Sequence, residues 1–397
     1  MSNADAATRG GKGGSVMSLP RMSLLAGLGV LGIAAFAAAQ DRAFVRVDLP
    51  LPVENAALGV APDGKSLVGW TRVGDNTWAI RWTELGGTES LGELPGGDVF
   101  AEARATTKDG ELIVGVTSTD LGLQAFMWTP KYGMEVVTDA HMPTFCSAAH
   151  GVSQDGRVIV GQAYNCGCGV EGRAFRWSLE TGFDFLIGNP QDGGGLFLPE
   201  RALGVSADGS VIVGAAKGAR GTEAFYWTER YGAVGLGDLP GGMFYSVANA
   251  VSADGSTVVG VSWTENGPEA FRYNIYEDAG MTSLGDLPDG VHSSRALAVC
   301  ADGSVIVGVA SGWEGDEAFV WDRVNGMRPL KEALEGAYDA DLEGWRLVEA
   351  TGVCNQGRVV VGWGINPMGH RDLWMARLPA QKQPKPNQQG VRISPKR

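Results

Sequence analysis

Short segments in which small or apolar residues alternate with polar ones recur along this chain, and a glycine-containing turn interrupts each of them. Alternation with a period of two is typical of β-strands that bury one face. Seven segments match one another: ALGVAPDGKSLVG (57–69), ARATTKDGELIVG (103–115), AHGVSQDGRVIVG (149–161), ALGVSADGSVIVG (202–214), ANAVSADGSTVVG (248–260), ALAVCADGSVIVG (296–308) and ATGVCNQGRVVVG (350–362).

The turn glycines of these copies are Gly64, Gly110, Gly156, Gly209, Gly255, Gly303 and Gly357, spaced by 46, 46, 53, 46, 48 and 54 residues. Every copy has alanine seven positions before this glycine, valine four after it and glycine five after it. Six copies have Asp-Gly at the turn, where a tight hairpin needs a positive φ that glycine adopts without penalty. Each copy is therefore predicted to be a hairpin, with a first strand of small residues suited to the crowded axis of a ring.

Two further strands are predicted after each hairpin. The third strand alternates large aromatics with small or polar residues: WAIRW (78–82), QAFMW (124–128), RAFRW (173–177), EAFYW (223–227), EAFRY (269–273), EAFVW (317–321) and DLWMARL (372–378). The fourth, outer strand occurs in six copies: TESLGEL (88–94), MEVV (134–137), FDFL (183–186), AVGLGDL (233–239), MTSLGDL (281–287) and MRPL (327–330).

The seventh copy lacks a fourth strand, whereas FVRVDLP (44–50) matches a fourth strand and precedes the first copy. In a closed ring the first strand of the chain can complete the last blade, which removes an exposed sheet edge. We therefore predict an all-β fold over residues 44–378, a seven-bladed β-propeller of four-stranded blades that is closed by its N-terminal strand. The repeats are too long for a β-helix and lack the distinct capping repeats of an open solenoid.

Residues 1–39 have the pattern of an export signal, with a basic leader, an apolar run over 24–39 and an Ala-Ala-Ala cleavage site before Gln40. The run is shorter than the roughly 20 residues that span a bilayer, which favours cleavage over retention as an N-terminal anchor. Residues 379–397 are poor in apolar residues, carry five positive charges and are predicted to be a disordered basic tail. We expect an extracellular or periplasmic protein with no membrane span after cleavage.

The chain has a net charge of −13, and the leader carries three basic side chains and one acidic one, so the mature protein is more acidic still. Nucleic acid is therefore an unfavourable partner, since phosphate binding needs a cationic surface. Gly accounts for 60 of 397 residues, which favours many tight turns. We expect a monomer.

The segments GVSADGSVIVG, EAFxW and GMxxLGDLPxG resemble the HAF repeats of bacterial extracellular proteins. The histidine that opens the family's triplet is replaced here by Trp78, Gln124, Arg173, Glu223, Glu269 or Glu317. The resemblance covers nearly all of the mature chain and implies an exported repeat protein. It implies no particular reaction or ligand.

The predicted ring has two different faces. The turns between first and second strands are uniformly tight and lie on one, the turn face. The second-to-third-strand connections (70–78, 162–172, 261–269 and 309–317) and those from one copy to the next (138–150, 188–201 and 331–345) lie on the other, the loop face, and are expected to be irregular loops. Binding sites tend to form on variable loops held by a rigid scaffold, so the loop face is the predicted site.

Two groups of residues on the loop face are candidates for ligand binding. Tryptophans outside the repeated Trp82, Trp128, Trp177, Trp227 and Trp321, which we expect in the core, could stack on a sugar or peptide or simply pack the loops: Trp70, Trp78, Trp263, Trp313, Trp345 and Trp363. A polar ring is expected where the first strands begin, at the channel mouth, as a ligand site or as ion pairs that neutralise one another: Glu102, Arg104, His150, Arg201, Asn249, Arg295 and Glu349.

The five cysteines fall into two groups. Cys146 lies close in the predicted fold to Cys166 and Cys168, and a disulfide from Cys146 to one of these two is expected. Cys300 and Cys354 replace small residues of the first strand and are expected to be buried thiols. The four histidines lack a recognisable metal spacing, and each turn aspartate stands alone, so neither a metal nor a cofactor is predicted.

The preferred functional hypothesis is a non-catalytic binding or scaffolding propeller for a glycan, peptide or protein ligand at the loop face. The alternative is an exported hydrolase or lyase acting on a glycan, with Glu102 and His150 at the channel mouth as the residues to test. No nucleophile motif is present, and fold alone does not define a reaction.

Overall fold

The computed structural model describes residues 43–47, 54–137, 145–165, 172–188, 197–277, 279–288, 290–338, 342, 344–354 and 356–378. The predicted leader (1–39) and basic tail (379–397) lie outside these ranges. Within them, no helix is long and apolar enough to cross a membrane.

Seven four-stranded antiparallel sheets form the blades of a β-propeller, as the repeat predicts. Blade one is β2 (Glu54–Val60), β3 (Ser66–Val73), β4 (Asn76–Thr83) and β5 (Gly87–Ser90). Blade two is β6 (Ala101–Thr106), β7 (Ile113–Thr119), β8 (Gly122–Thr129) and β9 (Gly133–Val136). Blade three is β10 (Phe145–Val152), β11 (Val158–Asn165), β12 (Arg173–Ser178) and β13 (Gly182–Phe185).

Blade four is β14 (Leu198–Val205), β15 (Ile212–Gly218), β16 (Gly221–Thr228) and β17 (Gly232–Gly235). Blade five is β18 (Gly241–Val251), β19 (Thr257–Thr264), β20 (Gly267–Asn274) and β21 (Thr282–Gly285). Blade six is β22 (Ser294–Val299), β23 (Val305–Gly312), β24 (Gly315–Asp322) and β25 (Gly326–Pro329).

Blade seven joins the two ends of the chain. It consists of β26 (Arg346–Cys354), β27 (Val359–Ile365) and β28 (Arg371–Arg377), with β1 (Phe44–Arg46) as its outer strand. Phe44 pairs with Ala376 and Arg46 with Trp374. The predicted closure by the N-terminal strand is confirmed.

The core lies between neighbouring blades. Each third strand buries one large side chain almost completely against the preceding blade, and these are Ile80, Phe126, Phe175, Phe225, Phe271, Phe319 and Trp374. Burying one such side chain stabilises the fold by about 1.5–3 kcal/mol. The alanine seven positions before each turn glycine has no exposed surface, which lets the innermost strands approach one another.

Glycine is required five positions after each turn glycine, because the first and second strands of a blade approach each other closely there. A Cβ atom at Gly214 would lie well inside the van der Waals contact distance to the Arg201 carbonyl oxygen. A Cβ atom at the equivalent glycine of every other blade would meet a carbonyl oxygen in the same way. The turn glycines themselves have φ between 71° and 78°, as the hairpin prediction requires.

Two expectations about local structure are wrong. The second-to-third-strand connections of blades one, five and six are two-residue turns rather than irregular loops, because the strands continue through their polar ends, as at Trp313-Glu314 between β23 and β24. The segment 331–345 contains most of a helix, α1 (Leu330–Tyr338), which buries Leu330 and Leu334 between blades six and seven. Side chains four residues apart share a helix face, and this spacing was the signal for the helix.

Candidate functional site

The innermost strands carry all seven residues of the predicted polar ring. Each of these strands has a β-bulge at the sixth position before the turn glycine, for example between Ala103 and Ala105 in blade two and between Ala149 and Gly151 in blade three. Arg104 and His150 are the bulged residues of their blades. A bulge re-aims a side chain and interrupts the ladder of backbone hydrogen bonds, so the repeat itself directs these two side chains towards the channel.

Arg104 connects blades two and three. Its Nη2 donates to Glu102 Oε2 at 2.9 Å and its Nη1 lies 3.1 Å from His150 Nδ1. A guanidinium group can only donate, so His150 Nδ1 must accept this bond and the ring proton of a neutral His150 lies on Nε2. His150 Nε2 is enclosed and has no hydrogen-bond partner among the described residues.

His150 is neutral over the physiological pH range. Burial, together with the positive charges of Arg104 and Arg201, lowers the pKa of His150 from 6.5 to about 3. Desolvation disfavours the charged imidazolium form, and nearby cations add to the effect. The ring is therefore neutral beside the Arg104 guanidinium group.

The other members of the ring are held in different ways. Asn249 Nδ2 donates to the carbonyl of Ala296 in the next blade at 2.8 Å, and Glu349 accepts a bond from Trp363 Nε1 at 2.7 Å. Arg201 and Arg295 make no ion pair or side-chain hydrogen bond within the described part of the chain. The expectation of mutually neutralising ion pairs thus describes Arg104 and Glu102 only.

Two of the candidate tryptophans form a stack at the junction of blades seven and one. The Arg371 guanidinium lies 3.6 Å from the centroid of Trp363 and 5.5 Å from that of Trp70. Arg72 also lies over Trp70, at 5.4 Å. Cation–π contacts of this kind stabilise partly desolvated sites, so these two rings are already occupied by the protein's own arginines.

The remaining candidate tryptophans are dispersed. Trp345 packs edge-on against Phe44 at 5.2 Å, in the core of the closing blade, and Trp263 contacts Tyr245 at 6.5 Å. Trp78 is half-buried in β4, whereas Trp313 is 86% exposed at the tip of its turn. Of this group, Trp313 alone offers a largely exposed ring.

The repeated tryptophans pack in the core as predicted. Trp82, Trp128 and Trp177 are buried, and the half-buried Trp227 and Trp321 pack against the clusters between their blades.

A cavity of about 580 Å³ lies on the propeller axis, towards the turn face. Every blade contributes to its wall, mainly through the residues four and two positions before each turn glycine: Val60, Pro62, Thr106, Lys108, Val152, Gln154, Val205, Ala207, Val251, Ala253, Val299, Ala301 and Val353. Arg104 also lines it, and is the member of the predicted polar ring that does so. The site was expected on the loop face, and this cavity was not predicted, although the repeated valine was its signal in the sequence.

The turn aspartates act within their own hairpins. The Thr107 hydroxyl donates to Asp109 at 2.7 Å and the amide of Glu111 donates at 3.1 Å, and these bonds lower the pKa of Asp109. Equivalent bonds occur at Asp155, Asp208, Asp254 and Asp302. Within the described residues, no group of three or more His, Cys, Asp or Glu side chains is arranged to hold a metal ion.

Cys300 and Cys354 are free and buried, as expected. Burial raises the pKa of Cys354 to about 12, with a further contribution from the Asp63 carboxylate. Cys146 is disulfide-bonded. Its predicted partners, Cys166 and Cys168, lie outside the described residues, so the choice between them stays a prediction.

Comparison with known proteins yields structural similarity alone. No protein-family model and no curated protein sequence matches the chain. An oligogalacturonate lyase from Vibrio parahaemolyticus matches over 85% of this chain and 93% of its own, with 14% identity and a TM-score of 0.53. A puromycin hydrolase matches over 84% of this chain and 55% of its own, with 15% identity and a TM-score of 0.52.

A third structure, TolB from Acinetobacter baumannii, shares 12% identity with a TM-score of 0.44. That match covers 66% of this chain and 62% of TolB. At these identities the similarity is one of fold, and this chain is a propeller scaffold.

Proposed function

We propose that this protein is an exported HAF-repeat propeller, extracellular or periplasmic, that binds a ligand without catalysis at the channel mouth on the loop face. The observation that carries the proposal is the lack of ion-pair partners for Arg201 and Arg295. Both lie on innermost strands at the start of the channel, and neither has a carboxylate partner among the described residues. A few polar groups held in place by a rigid scaffold can fix the orientation of a bound ligand.

The chemistry of the polar ring supports binding rather than catalysis. Glu102 is paired with Arg104, and His150 has a pKa of about 3. A general acid or base works best with a pKa near the operating pH. Near neutral pH, His150 is a weak base, and Glu102 accepts a hydrogen bond from Arg104.

The aromatic candidates have a smaller part in this proposal. Trp70 and Trp363 enclose Arg371, and Trp345 packs in the closing blade. The exposed ring of Trp313 remains available as an outer contact.

The test is a screen of the mature protein, residues 40–397, on glycan and peptide arrays. We expect a ligand that the wild type binds and that Arg201→Ala together with Arg295→Ala releases. Leu85→Ala, at an exposed turn-face position, is the matched control and should bind like the wild type. If every bound ligand is retained by the double variant, the site is elsewhere.

A further inference from the structure

We propose that the axial cavity binds a small apolar carboxylic acid, with its carboxylate against Arg104 and its hydrocarbon body against the valines and alanines of blades four to six. The cavity lies towards the turn face, so this site is additional to the loop-face site of the proposed function.

The wall of the cavity has a polar side and an apolar side. Blade two contributes Arg104, Thr106 and Lys108, at the sixth, fourth and second positions before its turn glycine. Blade two lies across the axis of the seven-membered ring from blades five and six. Blades four to six have valine and alanine at the fourth and second of these positions: Val205, Ala207, Val251, Ala253, Val299 and Ala301. A molecule that is polar at one end and apolar along its body fits such a wall.

Arg104 provides the hydrogen-bond donors at the inner end of the cavity. A guanidinium group has five N–H donors, and Glu102 and His150 accept from two of its nitrogen atoms. The Arg104 side chain is 25% exposed and lines the cavity, so its remaining donors are accessible from there. The bonds to Glu102 and His150 hold the planar group in place, which reduces the rotamer entropy lost when a carboxylate binds.

The charges of the wall favour an anion. Glu102 offsets part of the positive charge of Arg104, and Lys108 adds a second cation at the exposed rim. Lys108 makes no ion pair within the described residues. Asp63 is the acidic residue of the wall, and its Oδ1 already accepts the backbone amide of Lys65 at 2.9 Å. Two cations and one hydrogen-bonded carboxylate leave a local excess of positive charge in an otherwise acidic protein.

The apolar side can hold a hydrocarbon body of useful size. Val251 and Val299 each keep 9% of their surface exposed, on the wall of the cavity. The volume of about 580 Å³ lies within the range of roughly 300–1,000 Å³ that is usual for small-molecule sites. Transfer of an alkyl chain or an aromatic ring from water to this wall is favourable, because apolar surface leaves the solvent on both partners.

The experiment uses pairs of probes that differ only in the acid group. Octanoate is compared with octanamide and 3-phenylpropionate with 3-phenylpropanamide, so that an aliphatic and an aromatic acid are tested separately. Isothermal titration calorimetry measures binding to the mature protein. Arg104→Gln, Lys108→Gln and Ala253→Phe are the test variants. Lys65→Gln and Leu85→Phe, at exposed turn-face positions outside the cavity wall, are the matched controls for charge and for added bulk.

We expect at least one acid to bind at least tenfold more tightly than its amide, because hydrogen bonds to a charged group are the stronger ones. Arg104→Gln should weaken binding of that acid about tenfold. Lys108→Gln should weaken it about threefold, as expected for an exposed cation. Ala253→Phe should abolish binding by filling the cavity, and both controls should bind like the wild type. The tighter of the two acids identifies the kind of hydrocarbon body.

Arg104→Gln also leaves Glu102 without this partner, so thermal unfolding is measured for every variant. If Arg104→Gln does not fold, Lys108→Gln and Ala253→Phe decide the result. Equal binding of acid and amide would refute the carboxylate, and acid binding that persists in Ala253→Phe would place the site elsewhere. Failure of both acids to bind the wild type would refute the inference as a whole, whatever the glycan and peptide arrays show.

Discussion

Arg104 Nη1 donates a hydrogen bond to His150 Nδ1 over 3.1 Å, across the boundary between blades two and three. The two residues occupy the same bulged position of successive repeats, 46 residues apart. The β-bulge at this position of each repeat thus brings the Arg104 guanidinium group against the neutral His150 ring, although the two residues are far apart in the sequence.

The pKa of His150 makes a testable contribution to stability. The folded protein has a His150 pKa of about 3 against 6.5 for the ordinary side chain, so the unfolded chain takes up a proton in this interval while the folded chain does not. His150 therefore has no effect on stability through its charge above about pH 6.5, and it destabilises the fold progressively as the pH falls towards about 3. Urea unfolding at several pH values, compared with His150→Asn, should show that the variant lacks this component. A ring that titrates near pH 6.5 by NMR would contradict the prediction.

The glycine after each second-strand valine should tolerate no side chain. Gly214→Ala places a methyl group against the Arg201 carbonyl, and overpacking of this kind costs about 1–3 kcal/mol. Gly336→Ala is the matched control, since Gly336 is an exposed residue of α1 with no neighbour near its Cβ position. There, alanine should stabilise the helix by up to about 1 kcal/mol. Denaturant unfolding measures both, and equal effects would contradict the packing argument.

Cys300 takes the place of a turn hydroxyl. Its Sγ lies 3.0 Å from Asp302 Oδ1 and accepts the amide of Val305 at 3.2 Å, whereas Ser206 makes the equivalent bonds in blade four. Cys300→Ser should therefore change the free energy of unfolding by less than about 0.5 kcal/mol, and Cys300→Ala should lower it by about 1 kcal/mol. Equal stability of the two variants in urea would show that the turn bonds contribute nothing.

The short closing strand β1 should contribute strongly to the free energy of unfolding. Phe44 packs against Trp345 at 5.2 Å and Trp374 at 6.5 Å, so Phe44→Ala should destabilise the protein by roughly 2 kcal/mol. Leu85→Ala, at a side chain that is 77% exposed, should be neutral within about 0.5 kcal/mol. Thermal unfolding compares the two, and a neutral Phe44→Ala would mean that the contact is dispensable.

Most of the fold could be predicted because the same pattern of strands and turns occurs seven times in the sequence. The turn glycines gave the blade number, and residues 44–50 gave the position of closure. The polar ends of the second strands were mistaken for loops, because Thr, Glu and Asn occur in both exposed strand ends and loops. In α1, two leucines four residues apart form too short a pattern to indicate a helix in a segment that also contains several acidic residues.

The site was less predictable, for a physical reason. The channel residues could be found by alternation along each first strand, but the contact of Arg104 with His150 depends on how neighbouring blades meet. The axial cavity is the space left between small or β-branched side chains of the seven blades, so no single residue in the sequence indicates it.

The salt bridge between Arg46 and Asp372 at 2.8 Å joins residues that are separated by 326 positions. Such a contact forms only after nearly the whole chain is available, and distant contacts of this kind slow folding. The last blade can therefore be completed only when both ends of the chain are available. Removal of residues 43–47 would take away the outer strand of blade seven and expose the edge of β28 without changing any repeat.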